Sequence, residues 1–247
     1  MSNPEVPMPL AAAMAFSLLL PAGPVQGLYF EQTTVTYEAG RPTGPGVASR
    51  VWCSGKRMRL EAGDEKGGPA FILRLDPAAA YRLEPFRKRA VIVDVARLRT
   101  QSQMDLSMAG DLMGAGADDE AGARTRPLTT SRIIAGLPCE GFRITAGSTV
   151  MDLYVTRSLP VGVEAFAEFL EWSGASQALG GLLEEVRKLP GFPLETRSRV
   201  TVLGEVHETR ATVTRVEAGP QPAALFEPPA GYQIVTEDQD QEEESKP

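Results

Sequence analysis

Few residues of this chain have the types and spacing that a catalytic or metal-binding site requires. His207 is its single histidine, which excludes metal sites and catalysis that need several histidines. It lies in an alternating Val-His-Glu-Thr run, a pattern that favours a polar position on a strand over a general base. The acidic run at 118–120 could bind calcium, but its spacing is not that of an EF-hand loop. A solvated loop is the simpler interpretation.

Common catalytic signatures do not occur in the sequence. It contains no G-x-S-x-G elbow, P-loop, G-x-G-x-x-G, C-x-x-C or H-E-x-x-H motif. We therefore predict a protein that is not an enzyme and that uses no cofactor and no metal.

Cys53 and Cys139 are the two cysteines of the chain, and neither has the spacing of a metal site. Export would permit a disulfide between them. A lone cysteine in strand-like sequence can equally pack as a small apolar residue. The sequence leaves both alternatives open.

The net charge of -7 is concentrated at the C-terminus, where six of the last eleven residues are acidic. The remainder is nearly neutral, which argues against a nucleic-acid partner. Three arginine pairs have the spacing of strand residues that share one face. These pairs are Arg57 with Arg59, Arg87 with Arg89, and Arg97 with Arg99. We interpret them as parts of a solvated face on which arginines alternate with acidic residues.

The N-terminal region resembles a secretory leader. Residues 10–20 form an apolar run that is too short to span a bilayer but fits the central part of a signal peptide. Small residues up to Gly27 suit a signal peptidase, although the first nine residues lack the usual positive charge. A buried apolar helix is the alternative. We predict a signal peptide at 1–27, an exported periplasmic domain at 28–236 without a transmembrane segment, and a disordered acidic tail at 237–247.

Short alternating runs separated by Gly, Pro or Asp fill most of the domain and indicate β-strands. Tight turns between neighbouring runs predict an antiparallel meander in a mainly β (α+β) fold. Residues 102–127 break this pattern and are interpreted as a helical or mobile excursion that ends in a flexible loop. Residues 47–61 are predicted to form a hairpin around Ser54-Gly55. The other predicted strands lie at 29–37, 71–75, 81–83, 90–95, 131–135, 140–145, 150–156, 194–203, 206–216 and 233–236.

A helical hairpin at about 161–189 is the other departure from the β pattern. Its apolar residues recur at helical spacing, and Leu189-Pro190-Gly191 ends it. These side chains could fill the core beneath the sheet, or they could line a cavity for a hydrophobic ligand. The residues concerned are Phe166, Phe169, Leu170, Trp172, Leu179, Leu182 and Leu183.

Five stretches together resemble an uncharacterised family of bacterial exported domains within the LolA/LolB-like lipoprotein-carrier superfamily. They are 29–37 (YFEQTTVTY), 49–61 (SRVWCSGKRMRLE), 134–144 (IAGLPCEGFRI), 151–159 (MDLYVTRSL) and 192–200 (FPLETRSRV). The resemblance implies a strongly curved antiparallel sheet, or half-open β-barrel, with a helical lid. It implies no catalytic residues.

Two functions are consistent with these features. The first is a non-enzymatic periplasmic protein that binds or carries a lipid or a lipoprotein acyl chain between the sheet and the helical lid. The second is an envelope structural or protein-interaction domain with a sealed core and an envelope protein as its partner. A hydrolase is the weakest of the interpretations, because no catalytic motif supports it.

Overall fold

The computed structural model describes residues 27–63, 70–75, 78–94, 122–160, 181–202 and 204–239. These residues form thirteen β-strands, a short α-helix, α1 (Gly181–Arg187), and two 3-10 turns at Pro85–Arg87 and Ala223–Phe226. The strands are β1 (Gly27–Glu38), β2 (Arg41–Pro42), β3 (Val47–Ser54), β4 (Arg57–Ala62), β5 (Ala70–Leu75), β6 (Ala78–Glu84), β7 (Arg89–Ile92), β8 (Arg124–Ile134), β9 (Leu137–Ala146), β10 (Thr149–Thr156), β11 (Phe192–Val202), β12 (Glu205–Ala218) and β13 (Gln233–Thr236).

All thirteen strands belong to one sheet, in the order β13-β7-β6-β5-β4-β3-β1-β12-β11-β10-β9-β8, with β2 paired to β1. The order consists of two five-stranded meanders, β3 to β7 and β8 to β12, joined by β1. β1 pairs with both β3 and β12, so the first and second halves of the chain meet along it. The predicted mainly antiparallel architecture is confirmed.

The sheet is strongly curved. Strands β8 and β12 have Cα atoms within 8 Å of each other, although β9, β10 and β11 lie between them in the sheet. In a flat sheet, four spacings of about 4.8 Å would separate them by roughly 19 Å. The two end strands, β8 and β13, do not pair with each other, so the sheet curls without closing.

Two details differ from the prediction. β8 begins at Arg124, inside the segment interpreted as a loop, because residues 124–127 pair with residues 142–145 of β9. β13 pairs with β7 in parallel rather than antiparallel, because the chain after β12 crosses the meander before it reaches this edge. The remainder of the predicted excursion at 102–127 lies outside the described residues, apart from 122 and 123.

The boundary expected for the leader lies at the first residue of the sheet. Gly27 pairs with Ser54, and its carbonyl accepts a hydrogen bond of 3.0 Å from the amide of Gly219. Cleavage directly after Gly27 would remove this pair from β1. The signal peptide and the acidic tail remain predictions.

Gly191 is required by close packing at the start of β11. A Cβ at this position would overlap the backbone carbonyl group of Thr156. Relieving the overlap would require the backbone to shift, which costs more free energy than rotating a flexible side chain. We expect Gly191→Ala to lower the free energy of unfolding by about 1–3 kcal/mol, the usual cost of overpacking. Gly44→Ala is the matched control, because a Cβ there meets no atom within 4 Å. Urea denaturation of both variants measures the difference, and equal stability would contradict the prediction.

Candidate functional site

The face of the first meander that continues from Leu28 and Phe30 is apolar over several strands. Cross-strand partners lie on the same face of a sheet, so the register identifies two rows along it. We call these two rows the apolar face. One row is Leu28–Cys53–Met58–Leu73–Ala80, and the other is Phe30–Val51–Leu60–Phe71.

Burial along the apolar face is graded. Leu28, Phe30 and Val51 belong to the main core cluster and are almost fully buried. The residues on β4 and β5 are less covered, and Phe71 is 42% exposed. The apolar face therefore has a half-exposed region on β4 and β5, where Met58, Leu60 and Leu73 are only half-buried. This region lies between the sealed core and Ala80 of β6, which is 7% exposed.

The opposite face of the same meander is covered over its centre. Ile72, Leu83 and Ala90 are buried there beneath Phe226, which is 1% exposed. Phe226 comes from the 3-10 turn after β12, so the chain between β12 and β13 covers this face. The same strands β4 and β5 thus carry a covered face on one side and the half-exposed apolar face on the other.

Helix α1 packs on the side of the sheet that carries the apolar face. The cross-strand row Thr34–Ala211–Thr196–Leu153 joins β1 to β10, and Leu153 packs in the same cluster as Leu182 and Val186 of α1. The exposures of Leu182 and Val186 are 1% and 0%. Within the described residues, α1 is therefore firmly packed onto the second meander.

The candidate ligand-binding residues can be placed only in part. Leu182 and Leu183 are buried in α1, at 1% and 6% exposure, and so contribute to core packing. The other five lie outside the described residues, and their role remains a prediction: Phe166, Phe169, Leu170, Trp172 and Leu179.

The half-exposed residues of β4 and β5 were missed as site residues by sequence reasoning. A signal was present, because Met58 and Leu60 alternate with charged residues on β4, and Phe71 and Leu73 alternate with Ile72 and Arg74 on the neighbouring strand β5. Similar alternation occurs in several other described strands, so it did not distinguish these two.

Both cysteines are free thiols in the structure, so the disulfide that export would permit is not formed there. Cys53 lies on β3 and Cys139 on β9, and four other strands separate β3 from β9 in the sheet. Burial raises the pKa of the Cys53 thiol to about 12. The thiol therefore stays protonated at neutral pH, which makes it a poor nucleophile.

Other residues considered for chemistry occupy ordinary strand positions. His207 is half-buried on β12, opposite Glu38 and Val200. No cluster of three or more metal-ligating side chains occurs within the described part of the chain. The acidic run at 118–120 lies outside that part.

The arginine pairs are partly accounted for by ion pairs. Arg59 binds Glu61 at 2.8 Å, and Arg89 binds Glu84 at 3.2 Å. Arg57 lies opposite another arginine, Arg74, which is not the alternation with acidic residues that we expected. Arg97 and Arg99 lie outside the described residues.

A polar groove of about 320 Å³ lies where β1, β3 and β12 meet, away from the half-exposed part of the apolar face. Its walls include charged and hydroxyl side chains, so it does not suit an acyl chain. The residues that line it are Glu31, Gln32, Thr33, Ala48, Ser49, Arg50, Gly63 and Thr214.

The family of the chain follows from its sequence. Residues 76–232, more than half of its length, match a domain of unknown function, DUF4412. The chain therefore belongs to the DUF4412 family, as its resemblance to an uncharacterised family predicted. No curated protein matches the chain, and none of the helices in the described ranges is long and apolar enough to span a membrane.

Several solved structures are similar over most of the chain. PNGF-II is 13% identical to this chain, with a TM-score of 0.38. The match covers 88% of this chain but only 32% of PNGF-II, so the chain spans about a third of that protein. An uncharacterized conserved protein from Thermus thermophilus is 12% identical with a TM-score of 0.43, and the match covers 86% of this chain and 91% of that one. A LolA superfamily protein from Nitrosomonas europaea is 10% identical with a TM-score of 0.31, covering 83% and 91%. With TM-scores below 0.5, these likenesses say nothing about ligands.

Proposed function

We propose that this protein binds or carries a hydrophobic ligand, a lipid or a lipoprotein acyl chain, on the apolar face of its sheet, and that it does so in the periplasm without catalysing a reaction. The half-exposed part of the apolar face, on β4 and β5, is the observation that carries the proposal. Apolar side chains that face water cost free energy, about 25 cal/mol for each Å² of surface. An acyl chain lying along Met58, Leu60, Phe71 and Leu73 would remove that surface from water.

The position of this surface also supports the proposal. It continues directly from the main core at Val51 and Cys53, so a ligand would extend a packed core rather than sit on an isolated patch. The helical segment at about 161–189 is proposed as the lid, with its aromatic residues as further contacts. Its C-terminal part, α1, packs on the same side of the sheet.

A sealed envelope domain is the second candidate, and the packing of α1 favours it. Leu182, Leu183 and Val186 are all buried against the sheet. If the whole helical segment packed in this way, the domain would act by binding an envelope protein. Native mass spectrometry of protein isolated without detergent separates the two, because bound lipid supports the carrier and uniformly empty protein supports the sealed domain.

A substitution at Phe71 tests the location of the site. We expect Phe71→Ser to weaken binding of a fluorescent fatty acid about tenfold, because about 1.5 kcal/mol of apolar contact is lost. The fold should persist, since Phe71 is already 42% exposed. Fluorescence titration measures the affinity, with circular dichroism as the check on folding.

The matched control for this test is Ile133→Ser. Ile133 is 80% exposed on the edge strand β8, so its loss should leave the affinity for the fatty acid unchanged. Equal affinities for the two variants would place the ligand elsewhere. A wild-type protein that does not bind the fatty acid at all would contradict the carrier function.

A further inference from the structure

A row of arginines crosses the second meander on the face away from α1. Cross-strand pairing aligns Arg126, Arg143, Asp152, Arg197 and Arg210 on five consecutive strands, β8 to β12. We call this set the arginine row. Asp152 alternates along β10 with Met151 and Leu153, which pack with α1, so the arginine row lies on the opposite face of the sheet.

Like charges are direct neighbours in this row. Arg126 pairs with Arg143, and Arg197 pairs with Arg210. Side chains at such positions lie about 5 Å apart, and like charges there destabilise a sheet. The row therefore contains two repulsive contacts that the fold itself does not require.

Another row on the same face has charges of alternating sign. Glu61, Arg50, Glu31 and Arg215 follow one another across β4, β3, β1 and β12, and their signs alternate. Arg50 binds Glu61 at 2.8 Å, and Arg215 binds Glu31 at 3.4 Å. Arg57 and Arg74 also lie opposite each other, on β4 and β5, but there Glu227 binds Arg74 at 2.5 Å. The arginine row differs because it brings two such contacts together.

The carboxylates near the arginine row are fewer than its arginines. Asp152 binds Arg143 at 2.5 Å and Arg199 at 2.9 Å, and Glu208 binds Arg197 at 2.7 Å. Glu195, which precedes Arg197 by two residues on β11, is bound at 2.5 Å by a further arginine, Arg132.

The balance of charge at the row is therefore positive. Within the described residues Arg126 and Arg210 make no ion pair. Five arginines, Arg199 included, face the two carboxylates of Asp152 and Glu208, which leaves an excess of three positive charges. The pair of Glu195 with Arg132 adds one charge of each sign and does not change this excess.

Buried Nε atoms without a hydrogen-bond partner occur at the arginine row but are not specific to it. Arg197, Arg199 and Arg210 each have one, and so do Arg50, Arg74 and Arg89 elsewhere in the sheet. The excess of positive charge is therefore the feature that distinguishes the row. An oxyanion would supply the missing negative charge, since the guanidinium fork matches the geometry of phosphate oxygens.

We infer that the arginine row, with Arg199 beside it, is a binding site for a phosphate-type oxyanion. The group can be free phosphate or the headgroup of an anionic phospholipid, because both present the same oxygens. This site is separate from the apolar face, and the inference does not depend on the proposed carrier function.

The test compares Arg210→Gln with Arg215→Gln in the full chain. Both arginines lie on β12, but Arg215 belongs to the alternating row. Calorimetry with inorganic phosphate and pyrophosphate tests for the free anion. Flotation with phosphatidylglycerol vesicles, against phosphatidylcholine vesicles, tests for the headgroup.

We expect Arg210→Gln to weaken binding at least about tenfold, since a charged hydrogen bond and a charge are lost, and Arg215→Gln to change it less than about twofold. Without the anion and at low salt, Arg210→Gln should melt at the same or a higher temperature than the wild type, because a repulsive contact is removed. Arg126→Gln should weaken binding in the same way. Because Arg126 is exposed, this substitution should not unfold the protein, so unfolding would not explain the loss of binding.

Three outcomes would overturn the inference. The first is a wild type that binds neither phosphate, nor pyrophosphate, nor phosphatidylglycerol vesicles. The second is an equal loss of binding in Arg210→Gln and Arg215→Gln, which would indicate attraction by net charge alone. The third is a lower melting temperature of Arg210→Gln without the anion, together with unchanged binding by Arg126→Gln. Binding of the fluorescent fatty acid should be unaffected by all three variants, so a failed carrier function would be recognised separately.

Discussion

Replacement of Phe226 by alanine is expected to lower the free energy of unfolding by about 3–5 kcal/mol, the usual cost of removing a buried phenyl ring from a core. Phe226 is 1% exposed and packs with Ile72, Leu83 and Ala90 on the covered face of the first meander. The ring comes from a short 3-10 turn. Among the described residues, no helix packs beside it that could collapse into the cavity it would leave.

Phe86→Ala is the matched control for this substitution. Phe86 also lies in a 3-10 turn, Pro85–Arg87, but it is 93% exposed. Its removal should change the stability by less than about 0.5 kcal/mol, as surface substitutions generally do. Urea denaturation measures both variants. A Phe226→Ala variant as stable as Phe86→Ala would mean that the segment after β12 does not cover this face.

Asp152→Asn is expected to have the second largest effect, a loss of about 3 kcal/mol. Asp152 is 6% exposed, and its carboxylate accepts hydrogen bonds from Arg143, at 2.5 and 2.7 Å, and from Arg199, at 2.9 Å. Removing one partner of a buried ion pair leaves the other charge uncompensated, which commonly costs about 3–5 kcal/mol. We expect the lower end of that range because the two guanidinium groups are partly exposed.

The pH dependence of stability gives an independent check on Asp152. Its burial alone would raise the pKa of the carboxyl, but the hydrogen bond and charge of Arg143, with the charges of Arg199 and Arg197, outweigh burial and hold the pKa below its ordinary value. The stabilisation is therefore complete above the unfolded pKa of about 3.9 and is lost as the pH falls through the lower folded pKa. As the pH is lowered from about 5 to below the folded pKa of Asp152, the free energy of unfolding should fall more for the wild type than for Asp152→Asn.

Glu217→Gln serves as the control for the charge effect. Glu217 binds Arg215 at 2.5 Å, but both side chains are more than half exposed. Exposed ion pairs contribute about 0–1 kcal/mol, so the loss should be small. If Asp152→Asn cost no more than Glu217→Gln, the arginine row would not depend on its central carboxylate.

Strand positions were largely predictable from the sequence. The run at 29–37 corresponds to β1, and the hairpin predicted around Ser54-Gly55 corresponds to β3 and β4. Alternation of apolar and polar residues decides these elements locally, because successive side chains on a strand point to opposite faces. The same alternation already assigned Phe71 and Leu73 to one face.

Features without a local pattern were not predictable. Phe226 follows a Pro-rich connection with no alternation, so its burial could not be inferred from its neighbours. The end of the loop excursion was misjudged because residues 124–127 are polar and contain a proline. They are held in β8 by pairing with β9, which is a contact of the folded chain.

The sequence by itself determined which residues form strands and which of them share a face within each strand. Only the tertiary structure decided which strands are neighbours. It placed β1 between β3 and β12, and it aligned Arg126, Arg143, Asp152, Arg197 and Arg210 in a single row. The physical reason is that side-chain alternation is a property of one strand, whereas register and strand order depend on packing between segments that are far apart in the chain.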